Sequence, residues 1–212
     1  MNTKEIRIGV MGTLRGGSYI ENFGYVEGAR VTAICENNPK SLDGVQKFIT
    51  EDVKVFDNFD EFINSGLFDA VMLANYFFEH VPYAIKAMEK GIHVLSECTP
   101  ALTMAECVEL CRTVERTGCK YMLAENYPFF SCNLEMKRIY DSGKMGRALY
   151  CEGEYNHPVT VHDKNMLSPG KLHWRNWLPR PYYITHALAP VLHITGNTPK
   201  ISKIAETVDE NA

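Results

Sequence analysis

The chain has no uninterrupted apolar run approaching the roughly 20 residues that a membrane-spanning helix needs, which argues against a helical bilayer span. It has no basic run with interleaved aromatics either. Acids and bases are interspersed and sum to a net charge of −4, so a nucleic-acid partner is not expected. Any Cys-x-x-Cys pair is missing, and the seven cysteines are an odd number. A disulfide framework and a zinc ribbon are both disfavoured, and the cysteines read as reduced thiols. Cys107 and Cys111, four apart on a predicted helix, either share a metal or fill space as small buried hydrophobes. Internal repeats and low-complexity linkers are also absent. The first residues, MNTKEIRIGV, enter a strand-like run without an apolar leader, so the expected location is the cytoplasm.

What is present suffices for a core: 212 residues, 45% of them hydrophobic. Short β-branched runs alternate with helical patterns in the first half. The strand candidates are Ile6–Met11, Arg30–Cys35, Lys54–Phe56, Asp69–Ala74, Ile92–Ser96 and Lys120–Ala124. Amphipathic segments Val81–Lys90 and Met104–Thr117 lie between them, stopped by Gly91 and Gly118. Repeated βα units predict a parallel sheet covered on both faces, with ligands at the carboxyl ends of its strands. After Glu125 the pattern changes to a helix at Cys132–Asp141 and an extended run at Arg147–His157. A loop rich in His, Trp, Pro and Arg follows, then a helix from Thr185 to Thr195 and a strand at Ile201–Val208. The reading is therefore α/β: a doubly wound domain over residues 1–128, then the beginning of an α+β domain over 129–212.

The stretch IRIGVMGTLRGGSYI nearly spells G-x-G-x-x-G. Gly12 and Gly17 fit, but Leu14 stands where a second glycine normally lets the backbone approach a pyrophosphate. Gly16 and Gly17 offer another place for close approach. Glu36 ends the next strand at the distance expected of a ribose-binding carboxylate, whose charge disfavours a 2′-phosphate and so favours NAD over NADP. A plain tight turn with a solvated Glu36 is the competing reading.

Beyond the loop, DAVMLANYFFEHVPYAIKAMEKGIHVLSECTPALTMAECVEL resembles the Gfo/Idh/MocA family of NAD(P)-dependent sugar oxidoreductases, with His80, Gly91, His93, Val94 and Glu97 at matching positions. GCKYMLAEN, with Glu125 and Asn126, is similar to that family's sixth strand. The resemblance implies a Rossmann domain holding NAD through Gly12, Thr13, Leu14, Gly16, Gly17, Glu36, Asn75, His80, Glu97, Cys98, Glu125 and Asn126. Two departures matter. Members that oxidise sugar alcohols carry Glu-Lys-Pro after the fifth strand, whereas Cys98 replaces that lysine here and has neither its reach nor its charge. In YYITHALAPVLHITG the family's Asp and His four apart become His186 and Pro190. Tyr183, Thr185, His186, Leu188 and Pro190 instead resemble the NAD-dependent α-N-acetylgalactosaminidase branch, as do Tyr155, His157, His173, Trp174 and Arg175. Enzymes of that branch oxidise the sugar transiently, eliminate the aglycone, add water and return the hydride.

Five of the seven histidines lie between 157 and 193, which suits proton exchange near neutral pH. Tyr155, His173, Tyr183 and His186 are the catalytic candidates if they converge beside a nicotinamide. His93, between apolar neighbours, reads as a core histidine; His80 reads either as a helix cap or as pocket lining. No tight His spacing supports a metal site. Trp174 and Trp177 either stack on sugar or pack, and Lys171 and Arg175 either bind an anion or lie in solvent. The expected activity is NAD-dependent oxidation of a sugar or cyclitol hydroxyl. A redox-shuttling glycosidase and a nucleotide-binding module without turnover are the alternatives. The family's second domain usually continues with further strands, so the chain reads as shortened there, and a homo-oligomer is expected.

Overall fold

The computed structural model describes residues 5–176 and 180–198. The expected strand at 201–208 and Trp177 lie outside these residues. The chain divides into two compact units, up to Ala124 and from Glu125.

The first unit is a six-stranded sheet of β1 (Ile6–Met11), β2 (Ala29–Cys35), β3 (Lys54–Phe56), β4 (Ala70–Leu73), β5 (His93–Ser96) and β6 (Tyr121–Leu123). All neighbours pair in parallel, in the order β3-β2-β1-β4-β5-β6. The strand order reverses between β1 and β4, and a crevice at the carboxyl end of such a switch point is where doubly wound sheets bind ligands. Helices α1 (Thr13–Phe23), α2 (Phe59–Asn64), α3 (His80–Met88) and α4 (Met104–Thr117) make four of the five crossovers, and the 3-10 segment Pro39–Phe48 joins β2 to β3.

Period-two alternation sends neighbouring residues to opposite faces. Val71 and Leu73 of β4 join Phe56, Phe62, Phe68 and Val94 in one cluster, while Met72 joins Ile8, Val10, Ile20 and Ile34 in the other. Gly9 lies where the Phe62 and Phe68 rings leave no room, since an added Cβ would sit 2.6 Å from Phe62 Cζ. Helix α4 starts at a capping box, with Thr103 Oγ1 accepting from the Glu106 amide and the Glu106 carboxylate accepting from the Thr103 amide. It stops at Gly118, whose φ of +67° suits a left-handed cap.

Among the described residues the second unit is helical, with α5 (Ser131–Asp141), α6 (Val161–Leu167) and α7 (Thr185–Thr195). The run expected to be extended at 147–157 forms no strand, because no described segment pairs with it. Helix α6 falls where the composition predicts a loop; its start is a second capping box, between Thr160 and Asp163. Pro190 lies inside α7 and removes the helical hydrogen bond to the His186 carbonyl. No described helix is long and apolar enough to cross a membrane.

Candidate functional site

In the first unit, candidate residues gather where β1, β2, β4 and β5 end. Gly12 follows β1 with φ +82°, and an added Cβ would lie 2.8 Å from the Ala74 carbonyl oxygen and 3.0 Å from the Asn75 nitrogen. Only glycine tolerates both the dihedral and the contact. Glu36, just after β2, accepts at Oε2 from the Thr13 amide (2.9 Å) and at Oε1 from the Asn38 amide (2.9 Å). The Thr13 hydroxyl donates either to that Glu36 oxygen or to the Ser41 carbonyl. A cleft of about 430 Å³ opens beside Glu36, lined also by Leu42, Lys54, Phe56, Asp57 and Glu61. Asn75 donates from Nδ2 towards Glu79, while its Oδ1 is buried with no partner among the described residues. Glu97, at the end of β5, accepts from Arg15, the Tyr19 phenol and the Cys98 amide.

This arrangement fits a dinucleotide. It has a glycine turn that a Cβ would fill, an anchored carboxylate beside an open cleft and an orphaned buried acceptor at the switch point.

Several expectations need correction. Gly16 and Gly17 have a packing role that the sequence does not announce: a Cβ on Gly16 would lie 2.9 Å from Val10 Cγ1, and one on Gly17 would lie 3.1 Å from Val45 Cγ1. Both let α1 pack against its neighbours. His80 is fully buried. Its Nδ1 lies 2.9 Å from the Thr99 carbonyl and its Nε2 3.3 Å from the Asn75 carbonyl, so it ties the β4 and β5 loops together. Burial pushes its pKa below the ordinary value, and a neutral ring has one proton to donate to one of the two carbonyls. His93 is exposed rather than in the core, and its Nδ1 accepts from the Lys120 amide. Cys107 and Cys111 are half-buried and exposed respectively, not buried fillers.

In the second unit, Tyr155, Tyr183 and His186 do converge. The Tyr155 and Tyr183 rings meet the imidazole edge-on, with centroids 4.9 and 4.7 Å away, and stack on each other at 5.6 Å. Tyr127, which no sequence signal marks, stacks nearly parallel to the imidazole, at 4.4 Å and 18°. His186 Nδ1 lies 2.8 Å from both Glu125 carboxylate oxygens, and the two side chains are only 10% and 6% exposed. Glu125 also accepts from the Tyr127 amide at 3.1 Å. Gly153 brings Tyr155 here: any Cβ would collide with the Ala187 carbonyl of α7.

His173 does not join this cluster among the described residues. Its ring packs on Trp174, whose own ring carries the Arg175 guanidinium at 4.8 Å. Slight burial, and then Arg175, push the His173 pKa down. Asn126, exposed, precedes a short 3-10 turn.

Burial would raise the Glu125 pKa, but the Tyr127 amide and His186 together hold it below the ordinary 4.5. A carboxylate with a depressed folded-state pKa contributes stability that is complete above its unfolded value and lost as pH falls through the folded one. We therefore expect acid unfolding of the wild-type chain to steepen below about pH 4.5. Glu125→Gln should flatten that part of the curve, as read by circular dichroism against pH; an unchanged curve contradicts the pairing.

An α-N-acetylgalactosaminidase of Shewanella oneidensis is 29% identical over 198 residues, covering 88% of this chain and 43% of that protein. The chain thus spans less than half the length of the curated relatives it matches. The apo scyllo-inositol dehydrogenase of Lactobacillus casei superposes with a TM-score of 0.64 at 25% identity, over 69% of this chain and 44% of that one. A probable dehydrogenase of Thermotoga maritima shares the fold with a TM-score of 0.73 at 20% identity, over 91% of this chain and 56% of that one. The family model described as an oxidoreductase family with an NAD-binding Rossmann fold matches residues 6–125, the same span that builds the sheet and its switch point. The chain belongs to the Gfo/Idh/MocA oxidoreductase family.

Proposed function

We propose that this chain supports NAD-dependent oxidation of a sugar or cyclitol hydroxyl, the first unit holding the cofactor and the second handling protons. The observation that carries this reading is the buried Glu125–His186 pair ringed by Tyr127, Tyr155 and Tyr183.

An ionised carboxylate only accepts, so Glu125 fixes the Nδ1–H tautomer of His186 and leaves Nε2 as the basic nitrogen. Burial, and then the neighbouring Tyr127 and Tyr183, push the Tyr155 phenol up to about 12. Tyr155 therefore keeps its proton at neutral pH and serves as a hydrogen-bond donor to a substrate oxygen. In this assignment His186 removes the hydroxyl proton and Tyr155 orients the oxygen. A bound nicotinamide supplies the hydride acceptor. Gly12, Thr13, Glu36 and Asn75 are the residues we assign to holding it, and Glu97 and Cys98 border the same edge.

The preference for NAD over NADP rests on charge. Glu36, Asp57 and Glu61 line the cleft against one cation, Lys54, so a 2′-phosphate there meets net repulsion. Seven free thiols suit a reducing compartment, and we place the protein in the cytoplasm. Exposed Leu149, Tyr150, Val161 and Leu172 in the second unit support self-association.

A second reading, the redox-shuttling glycosidase, is favoured by Cys98 in place of a lysine and by the α-N-acetylgalactosaminidase relative. One assay separates the two. The protein is incubated with NAD and either free sugars and cyclitols or an aryl α-N-acetylgalactosaminide, while reduced nicotinamide is followed by absorbance. Net reduced cofactor on a free sugar supports the dehydrogenase. Aglycone release without net reduction supports the glycosidase. Neither signal from a chain that binds NAD contradicts both.

A further inference from the structure

Leu14 is 92% exposed and stands where a glycine would let the helix N-terminus approach a diphosphate. One residue later, Arg15 reaches across the end of β4, from the β1 side of the switch point to Glu97 after β5, with Nε 2.5 Å from Oε1. The two partners are unequal. The Arg15 side chain is 56% exposed and that of Glu97 only 12%. Glu97 is held independently by the Tyr19 phenol (2.8 Å) and the Cys98 amide (3.0 Å). Its carboxylate therefore stays hydrogen-bonded if the guanidinium leaves, which makes Arg15 the movable member of the pair.

Building on the cofactor-site reading above, we propose that Arg15 is this chain's ligand for the cofactor diphosphate, and that Glu97 holds the guanidinium in reserve across the crevice until the dinucleotide enters. The Leu14 side chain keeps the diphosphate further from the backbone than a glycine would. A long planar cation with several donors spans that distance and matches phosphate oxygens. Glu97 then acts as a competing anion, so the pair tunes affinity as well as providing it.

The test is calorimetric titration of NAD, ADP-ribose and adenosine into the wild-type chain, Arg15→Gln, Glu97→Gln and the double variant. Arg15→Gln should weaken NAD and ADP-ribose by about 10- to 100-fold while leaving adenosine unchanged, the loss expected for one charge-assisted contact. Glu97→Gln should tighten ADP-ribose several-fold, and in the Arg15→Gln background it should do nothing. Wild-type affinity for ADP-ribose should fall with salt more steeply than that of Arg15→Gln. Unchanged ADP-ribose binding in Arg15→Gln, or weaker binding in a folded Glu97→Gln, overturns the proposal while leaving the cofactor site intact. Should Glu97→Gln fail to fold, the exposed Arg15→Gln still decides. A wild-type chain that binds none of the three ligands overturns the cofactor-site reading and this proposal with it.

Discussion

Replacing His186 with Gln is expected to lower turnover by about 10²- to 10⁴-fold, the usual contribution of a positioned base, while leaving NAD affinity unchanged. Glutamine keeps a donor towards Glu125 but has no basic nitrogen, so the loss reports proton transfer rather than folding. His186→Ala should lose as much activity and some stability besides. It leaves the Glu125 carboxylate, 6% exposed, with the Tyr127 amide but without the imidazole, at a cost of about 1–3 kcal/mol. Single-turnover kinetics with matched thermal melts separate the two effects. A Gln variant that retains near wild-type turnover would remove His186 from the chemistry and shift attention to the phenols. Tyr155 is then the first to test, although its elevated pKa makes it a poor base at neutral pH.

Gly12→Ala carries the second large effect, this time on stability and cofactor binding together. The alanine must adopt φ +82° with its Cβ 2.8 Å from the Ala74 carbonyl oxygen. Strained backbone of this kind costs about 1–3 kcal/mol, and overpacking against unyielding atoms costs about 1–3 kcal/mol more. For a chain of this size the sum lowers Tm by roughly 5–20 °C. Gly28 provides the control: its φ is +79°, but nothing lies within 4 Å of an added Cβ. Gly28→Ala should thus show the dihedral penalty alone, with NAD binding intact. If the two variants melt alike, the close approach of the β1 turn to β4 is not what requires Gly12.

Much of the first unit was legible because its signals are local. Ile6–Met11, Lys54–Phe56 and Met104–Thr117 have the bounds read from apolar periodicity and glycine stops. Thr103 and Glu106 announce their helix within four residues. The contact of Glu36 with the glycine turn was legible from its spacing, and the gathering of His186 with Tyr155 and Tyr183 from the family resemblance.

What was misread depends on packing between distant segments. His93 looked like a core residue because its neighbours are apolar, yet at the first residue of β5 it faces solvent. Gly16 and Gly17 have a second role that no local signal shows, since the space a side chain would fill there is taken by Val10 and Val45. His173 shares its chemistry with His186 but not its location, since its ring is taken up by Trp174. Tyr127 had no motif to mark it, and Gly153, though it opens the stretch GEYNHP, carried no sign of its packing role: both roles arise only where α7 meets the turn at Tyr127–Phe129 and the segment through Gly153. Helix α6 did have a local signal in Thr160 and Asp163, which the loop-like composition around it obscured.

The reading of this chain as an NAD-binding redox protein stands or falls on calorimetric titration of NAD and NADP into the wild-type protein and Glu36→Ala. NAD should bind, NADP should bind at least tenfold more weakly because of the carboxylates about Glu36, and Glu36→Ala should weaken NAD and narrow the gap. Equal affinity for the two cofactors in the wild-type chain, or binding of neither, would contradict it.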